Sequence, residues 1–481
     1  MPATCTGNYY FAGMTSRIFT AIFICITGLW SSAQTTAPVA AAWQRMMQSE
    51  QLDYASAGIC VIDAATGKIV FADNEKIGLA PASTTKTLTS IAAFDALGEK
   101  FQYHTSIWTL GNIENGVLHG DLVIEGSGDP TMGSWRYSTT KNDAQLEQIA
   151  AALLSKGIKS IDGNMVVYNS HYDINPVPPY WPYGDIGNYY GAGIYPLNWN
   201  ENQFDLHFKT GGSVGAATTI NGKKPAILPL EQMLNEVTTG AAGIGDQSII
   251  YTAPYSNTML VQGKLPANQR SFTVSGAVPD GEKFMMLQLA NALKNKGIAW
   301  NGKLVGSADQ RMTNVHRPDI TKAALLMQLS SPSLDTMVYW FMKKSINLYG
   351  EAFTRTIGFT QKQSGTTEDG IEWMENHFKT IGLDIKGMHL GDGSGLSPTN
   401  RIAPLFLCQA LRYAKGRPWY AAYIHAFPEY NGMTLKSGTI HRVKCFAGYH
   451  GKYIVAIMVN NYNGSSSALI QKMYAVLNTL K

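Results

Sequence analysis

Pro81-Ala82-Ser83-Thr84-Thr85-Lys86, continued by Thr87-Leu88-Thr89-Ser90-Ile91-Ala92-Ala93-Phe94, is the stretch from which the rest of the chain can be read. Pro81 stands just upstream of a helical pattern in which Leu88, Ile91, Ala92 and Leu97 share one face. Three residues span just under one turn, so Ser83 and Lys86 project to the same side. A serine hydroxyl is a weak nucleophile until a neighbouring base takes its proton. A lysine one turn away is such a base if its own proton is easily lost. Taken alone, the pattern also fits a capped helix with a solvated lysine. Partners elsewhere have to decide.

The chain of 481 residues exceeds one ordinary core and implies two or three domains. A hydrophobic content of 45% suits a globular protein, and a net charge of +4 without any basic run argues against a nucleic-acid partner. Arg17, the apolar run Ile18 to Trp30 and the small residues Ser31-Ser32-Ala33 read as a signal peptide over residues 1–33. Met14 makes a better start than Met1, because it places Arg17 in a short basic leader. The expectation is export to the periplasm or another extracytoplasmic space, with a mature chain from near Gln34. No second apolar run of about 18 residues follows, so no integral membrane segment is expected after cleavage. Cys60, Cys408 and Cys445 are then an odd, sparse set, and one bridge such as Cys60–Cys445 stays open. Metal-ligand spacing is absent and the ten histidines are scattered, so neither metal nor cofactor is expected.

Trp43 to Glu50 reads as a short amphipathic helix, and Gly58 to Asp63 with Lys68 to Asp73 as a hairpin around Ala65-Thr66-Gly67. The Ser83 helix follows and stops at Gly98. From residue 101 the pattern becomes β-rich, with a hairpin signal at Asn115-Gly116. Helices at Asp143 to Lys156 and Glu282 to Lys296 each run into a Gly-Ile and then a short strand. That echo is either a weak internal duplication or shared turn chemistry. Long helical periods occupy the region from Asp319 to Ala414. Strands return at Met433 to Ile440, Cys445 to Tyr449 and Tyr453 to Asn460, and a helix at Ser467 to Leu480 closes the chain. The N-terminal hairpin and the C-terminal strands can therefore share one antiparallel sheet, with the first and last helices against it. The expected organisation is α+β: one domain from residues 34–100 and 305–481, interrupted by a β-rich insertion of one or two subdomains over 101–304.

Two later motifs join Ser83-x-x-Lys86. Ser345-Ile346-Asn347 falls at a helix end or loop, and Lys436-Ser437-Gly438-Thr439 lies on a strand. Each alone fits an N-cap serine or a strand-edge lysine with a turn glycine. Together, in this order, they resemble the signature of the penicillin-recognising serine enzymes. The chain is similar to the D-Ala-D-Ala carboxypeptidase/endopeptidase family, the low-molecular-mass class C penicillin-binding proteins. Further segments carry the likeness: Glu125 to Thr131, Tyr190-Gly191-Ala192, Asn198 to Asn202, Lys344 to Glu351 and Gly391 to Ser397, as does the long insertion after the first motif. Ile346 departs from the small or acidic residue of many relatives, and Ser437 from the commoner threonine.

The resemblance implies a serine β-lactamase/DD-peptidase-like fold. It also implies acyl transfer from peptidoglycan stem peptides ending in D-Ala-D-Ala, with β-lactams as covalent inhibitors. In that reading Ser83 is the nucleophile, Lys86 its base, helped by burial and by Lys436 nearby, and Ser345 a proton relay to the leaving nitrogen. Asn347 binds substrate or fixes Lys86, and Lys436 and Ser437 meet the terminal carboxylate, with Thr439 close by. Gly438 allows close approach, and the Ser83 and Thr439 N–H groups form the oxyanion hole. Asp392 to Ser397 is a loop near the site or a plain turn. Tyr180-Trp181-Pro182-Tyr183 is a rim or buried packing. Two other functions share these motifs. A β-lactamase needs an acid to activate a deacylating water, and Ile194-Tyr195-Pro196-Leu197-Asn198 offers none at the matching place. A non-catalytic cell-wall sensor would not need Ser83, Lys86, Ser345 and Lys436 all intact.

Overall fold

The chain's two ends build one sheet. In the computed structural model, which describes residues 36–141, 143–313 and 317–480, six antiparallel strands run in the order Glu429–Tyr430, Met433–Ile440, Val443–His450, Tyr453–Asn460, Ser56–Asp63 and Ile69–Asp73. The segment read as a signal peptide lies outside the described residues. Ser56–Asp63 pairs along its whole length with Tyr453–Asn460, so its side chains alternate between two buried faces. Ile59 and Val61 face a core shared with the first and last helices, through Trp43, Leu469, Met473 and Val476. Cys60 and Ile62 face a larger core roofed by helices. The first helix spans 36–47 rather than 43–50, because the apolar period begins at Val39 and continues through Ala42, Trp43 and Met46.

The three cysteines are free and buried. Cys60 and Cys445 stand on strands with Tyr453–Asn460 between them, about 9–10 Å apart at ordinary strand spacing, which is too far for a disulfide. The Cys60–Cys445 bridge is not made. Cys408 and Cys445 instead donate to the carbonyls of Cys60 (3.3 Å) and Ala80 (3.4 Å).

The Ser83 helix departs from its expected amphipathic form. A 3-10 turn, Ala82–Thr84, leads into Thr85–Leu97, and residues 85–94 are all buried. Its polar residues tolerate this because their hydroxyls are satisfied. Thr85, Thr87 and Ser90 donate to carbonyls in the preceding turn, and Thr89 donates to Gly393 (2.6 Å). Leu334–Lys344, Asn347–Lys362 and Pro404–Lys415 surround it, so no face meets water.

A second core lies in the middle of the chain. His104–Glu114 and Val117–Glu125 form the hairpin marked by Asn115 and Gly116, both at positive φ (52° and 84°). Their seven-stranded sheet also takes Ala324–Ser330 beside His104–Glu114, so this sheet draws on residues past 304. Two three-stranded sheets, built from segments of 203–277, complete this region. The echoing helices lie in contact, and the strands after them pair in parallel, Ala299 with Ser160 and Leu304 with Met165. Both helices end identically. Gly157 and Gly297 have φ 76°, and Ile158 and Ile298 each donate 3.0 Å back to a leucine carbonyl. Among the described residues, no helix is long and apolar enough to cross a membrane.

Candidate active site

Ser83 sits in the 3-10 turn, just after Ala82, whose φ of 46° strains the backbone immediately before it. Lys86 lies one turn on and is fully buried. Its Nζ is 3.0 Å from Ser83 Oγ, 2.6 Å from Asn347 Oδ1 and 2.6 Å from the Ser394 carbonyl. The Asn347 amide is fixed the right way round because its Nδ2 donates to the Tyr190 carbonyl (2.8 Å). Asn347 Oδ1 and Ser394 O can only accept. A neutral amine spends both its hydrogens on them, and its lone pair is left for the Ser83 hydroxyl. Burial supplies that neutral form by pulling Lys86 from 10.5 to about 7, against the opposing pull of Asp392 and Glu351. Desolvation, rather than a second cation, is thus the main cause.

Ser345 links the helices Leu334–Lys344 and Asn347–Lys362 at φ 58°. Its Oγ accepts from Lys436 Nζ (3.0 Å), which also donates to the Ser437 carbonyl (2.9 Å). Lys436 is buried and held well below the usual lysine range by desolvation, then by Lys86 and Lys444. Ile346 is buried in the core against the Ser83 helix, which accounts for an apolar spacer at that position.

Strand alternation sorts the last motif. Lys436 and Gly438 share the face with Ala447 and Cys445, towards the Ser83 turn. A Cβ on Gly438 would stand 2.5 Å from the Pro81 carbonyl and 3.1 Å from the Ser83 nitrogen, so glycine is required there. Ser437 and Thr439 stand on the other face. The Ser437 hydroxyl donates to Tyr430 OH (2.9 Å), and Thr439 Oγ1 accepts from Lys444 Nζ (2.8 Å). The structure therefore brings Ser83, Lys86, Asn347, Ser345 and Lys436 into one cluster, while the two hydroxyls of the strand point away from it.

The loop Asp392 to Ser397 is part of this cluster. Asp392 is buried and accepts from Trp181 Nε1 (2.8 Å), Gly395 N (2.8 Å), Ser397 N (2.6 Å) and Asn400 Nδ2 (2.7 Å). Those bonds curl the loop so that the Ser394 carbonyl meets Lys86. Gly395, at φ 85°, lets it pass Ala82, whose carbonyl would lie 2.0 Å from any Cβ. Trp181 is buried on Asp392, whereas Tyr180 and Tyr183 on either side are more than half exposed. Sequence reasoning missed the Ser394 and Tyr190 carbonyls, because every residue has a carbonyl and no motif marks which one is used.

An antiparallel sheet backed by helices on both faces, with this cluster where the buried helix meets the sheet's edge, is the fold of the penicillin-recognising serine peptidases. The D-Ala-D-Ala carboxypeptidase 3 (S13) family model matches residues 39–444. The chain belongs to that family and is a peptidase. It is 26% identical over 463 residues to a D-alanyl-D-alanine carboxypeptidase of Actinomadura sp. (strain R39), covering 90% of this chain and 82% of that one. It is 26% identical over 342 residues to the D-alanyl-D-alanine carboxypeptidase DacB of Haemophilus influenzae, covering 69% and 65%. The crystal structure of penicillin binding protein 4 (dacB) from Haemophilus influenzae superposes with a TM-score of 0.76 at 22% identity, covering 91% of this chain and 99% of that one.

Proposed function

We propose that this chain is a serine-type D-Ala-D-Ala carboxypeptidase of the extracytoplasmic space, with endopeptidase action on cross-linked stem peptides. The observation that carries the reading is the Lys86 amine, held by two obligate acceptors with its third contact on Ser83 Oγ. Ser83 Oγ attacks the carbonyl of the penultimate D-alanine while Lys86 Nζ takes its proton. The C–N bond breaks, the amine of the departing D-alanine takes a proton by way of Ser345, and the acyl group stays on Ser83. Water then hydrolyses the ester. The peptide's terminal carboxylate pairs with Lys436, whose ammonium, disfavoured in the empty site, gains a partner on binding. Ser437 and Thr439 serve through the exposed edge of their strand, and Gly438 permits the approach. The Ser83 and Thr439 N–H groups receive the oxyanion.

Kinship supports this reading. The relative from Haemophilus influenzae has been solved in complex with a β-lactam, and the Actinomadura relative is a D-alanyl-D-alanine carboxypeptidase. The domain division belongs to the same proposal: a catalytic domain from both chain ends, and an inserted unit that begins near 101. Incubation with a fluorescent penicillin tests it, wild type against Ser83→Ala. Wild type is expected to carry a persistent covalent label and the variant none. Absence of label at Ser83 sinks the reading, and a label lost within seconds replaces it with a β-lactamase.

A further inference from the structure

A groove of about 590 Å³ opens on the inserted region, away from the Ser83 cluster. Its floor is the buried pair Trp199 and Phe204, and Trp135, 46% exposed, forms a wall. Polar side chains converge on it. The Gln203 amide and Lys224 Nζ, both on the groove, make no side-chain hydrogen bond with any described residue. Asp205 gives one oxygen to Ser275 (2.6 Å) and keeps the other, and Gln288 keeps its carbonyl oxygen. Asp205 and Lys224 are direct cross-strand partners, yet they form no ion pair. Two carboxylates, Asp143 and Asp205, and one ammonium stand among amides and indole rings, which suits an uncharged ligand with many hydroxyl and amide groups, not a phosphate or a polyanion.

The groove is tied to the catalytic side. The Arg136 guanidinium stacks 4.9 Å from the Trp135 ring and 5.6 Å from the Trp340 ring. It is locked there by the buried Glu201 carboxylate, at 2.8 and 3.1 Å. Trp340 belongs to Leu334–Lys344, the helix that ends at Ser345. Tyr339 beside it packs edge-on to Trp340 at 5.3 Å and stacks on His425 at 5.1 Å. An aromatic strip therefore runs from the groove to the helix that presents Ser345. Indole faces hold the apolar C–H face of a pyranose ring, while amides and carboxylates reach its equatorial hydroxyl and acetamido groups.

We propose that this groove binds the amino-sugar strand of the polymer whose stem peptide the Ser83 cluster cleaves, so that glycan-borne peptides are favoured over free ones. The identity of the occupant rests on the carboxypeptidase reading; the groove and its sugar chemistry do not.

Titration with tetra-N-acetylchitotetraose, followed by tryptophan fluorescence and calorimetry, tests this directly. Saturable binding by the wild type is expected, weakened about tenfold or more in Trp135→Ala and at least about threefold in Asp205→Asn. Penicillin labelling of Ser83 in the same samples certifies that each variant is folded. The preference for glycan-borne over free pentapeptide, read as a ratio of kcat/KM, is expected to fall about tenfold in Trp135→Ala. No saturable binding up to about 10 mM, or undiminished binding by folded Trp135→Ala, overturns the proposal. So does displacement of the sugar by a free pentapeptide. Sugar binding without penicillin labelling would instead remove the carboxypeptidase reading and leave the groove standing.

Discussion

In the proposed mechanism Lys86 carries the acid limb of the pH dependence. As an ammonium it has no lone pair for Ser83, so acylation should fall about tenfold per pH unit below about 7, where burial has placed its pKa. In the same proposal Lys436 acts in the opposite sense, since it would pair with a carboxylate only while protonated. Burial has moved that loss below the ordinary lysine value of 10.5, so the alkaline limb should appear short of it. A bell-shaped profile of penicillin acylation against pH checks both limbs. Asp392 separates two contributions. Its charge favours the Lys86 ammonium, so Asp392→Asn should move the acid limb to lower pH. The same change weakens the bonds that curl the Ser394 loop, so the plateau rate should fall as well. An acid limb that stays put would mean that the Asp392 charge does not reach Lys86.

Among elements, the Lys436 strand and the Ser83 turn are the tightest junction. Gly438→Ala puts a methyl group 2.5 Å from the Pro81 carbonyl and 3.1 Å from the Ser83 nitrogen, with backbone rather than a flexible side chain in the way. The strand must retreat from Ser83. Acylation is expected to fall by about 10²-fold, on the scale of losing an oxyanion donor, while the melting temperature drops only a few degrees. Kinetics of penicillin labelling and a thermal scan read the two effects separately. The three motifs were legible because each combines a reactive side chain with a fixed spacing. The faces of the elements were less so. Periodicity gave the Ser83 helix one apolar side, yet Thr85, Thr87, Thr89 and Ser90 are buried as well, their hydroxyls satisfied by carbonyls a sequence cannot assign. Asp392 to Ser397 could be read as a loop near the site or as a plain turn for the same reason: the donors to Asp392 include backbone N–H groups and a tryptophan some 210 residues earlier.

At the scale of the molecule, the shared sheet could be anticipated because both chain ends carry short β-branched runs between turn residues. The return point of the insertion could not. Ala324–Ser330 has the apolar content of the helices that follow it, and only its pairing with His104–Glu114 places it on the inserted sheet. How the insertion grips the catalytic helices is likewise visible only in three dimensions. Glu201 is fully buried at φ 53° and accepts from Ser134 Oγ (2.7 Å), Arg136 Nε (2.8 Å) and Tyr349 OH (3.0 Å). Tyr349 lies two residues after Asn347, which is itself held by the insertion through the Tyr190 carbonyl. The inserted region thus grips the first turn of the Asn347 helix at two points, and that turn sets one of the two acceptors on Lys86. Glu201→Ala leaves the Arg136 guanidinium without its carboxylate and removes the acceptor of Ser134 Oγ, at a cost of about 3–5 kcal/mol. Tyr349→Phe removes one hydroxyl, which donates to Glu201 and accepts from Tyr137 OH (3.1 Å), and should cost about 1–2 kcal/mol. If the grip positions Asn347, both variants slow penicillin acylation of protein that remains folded. In Tyr349→Phe the rate should then fall by more than the small loss of stability can explain. A Tyr349→Phe protein that acylates at the wild-type rate would reduce the Glu201 cluster to a purely structural joint.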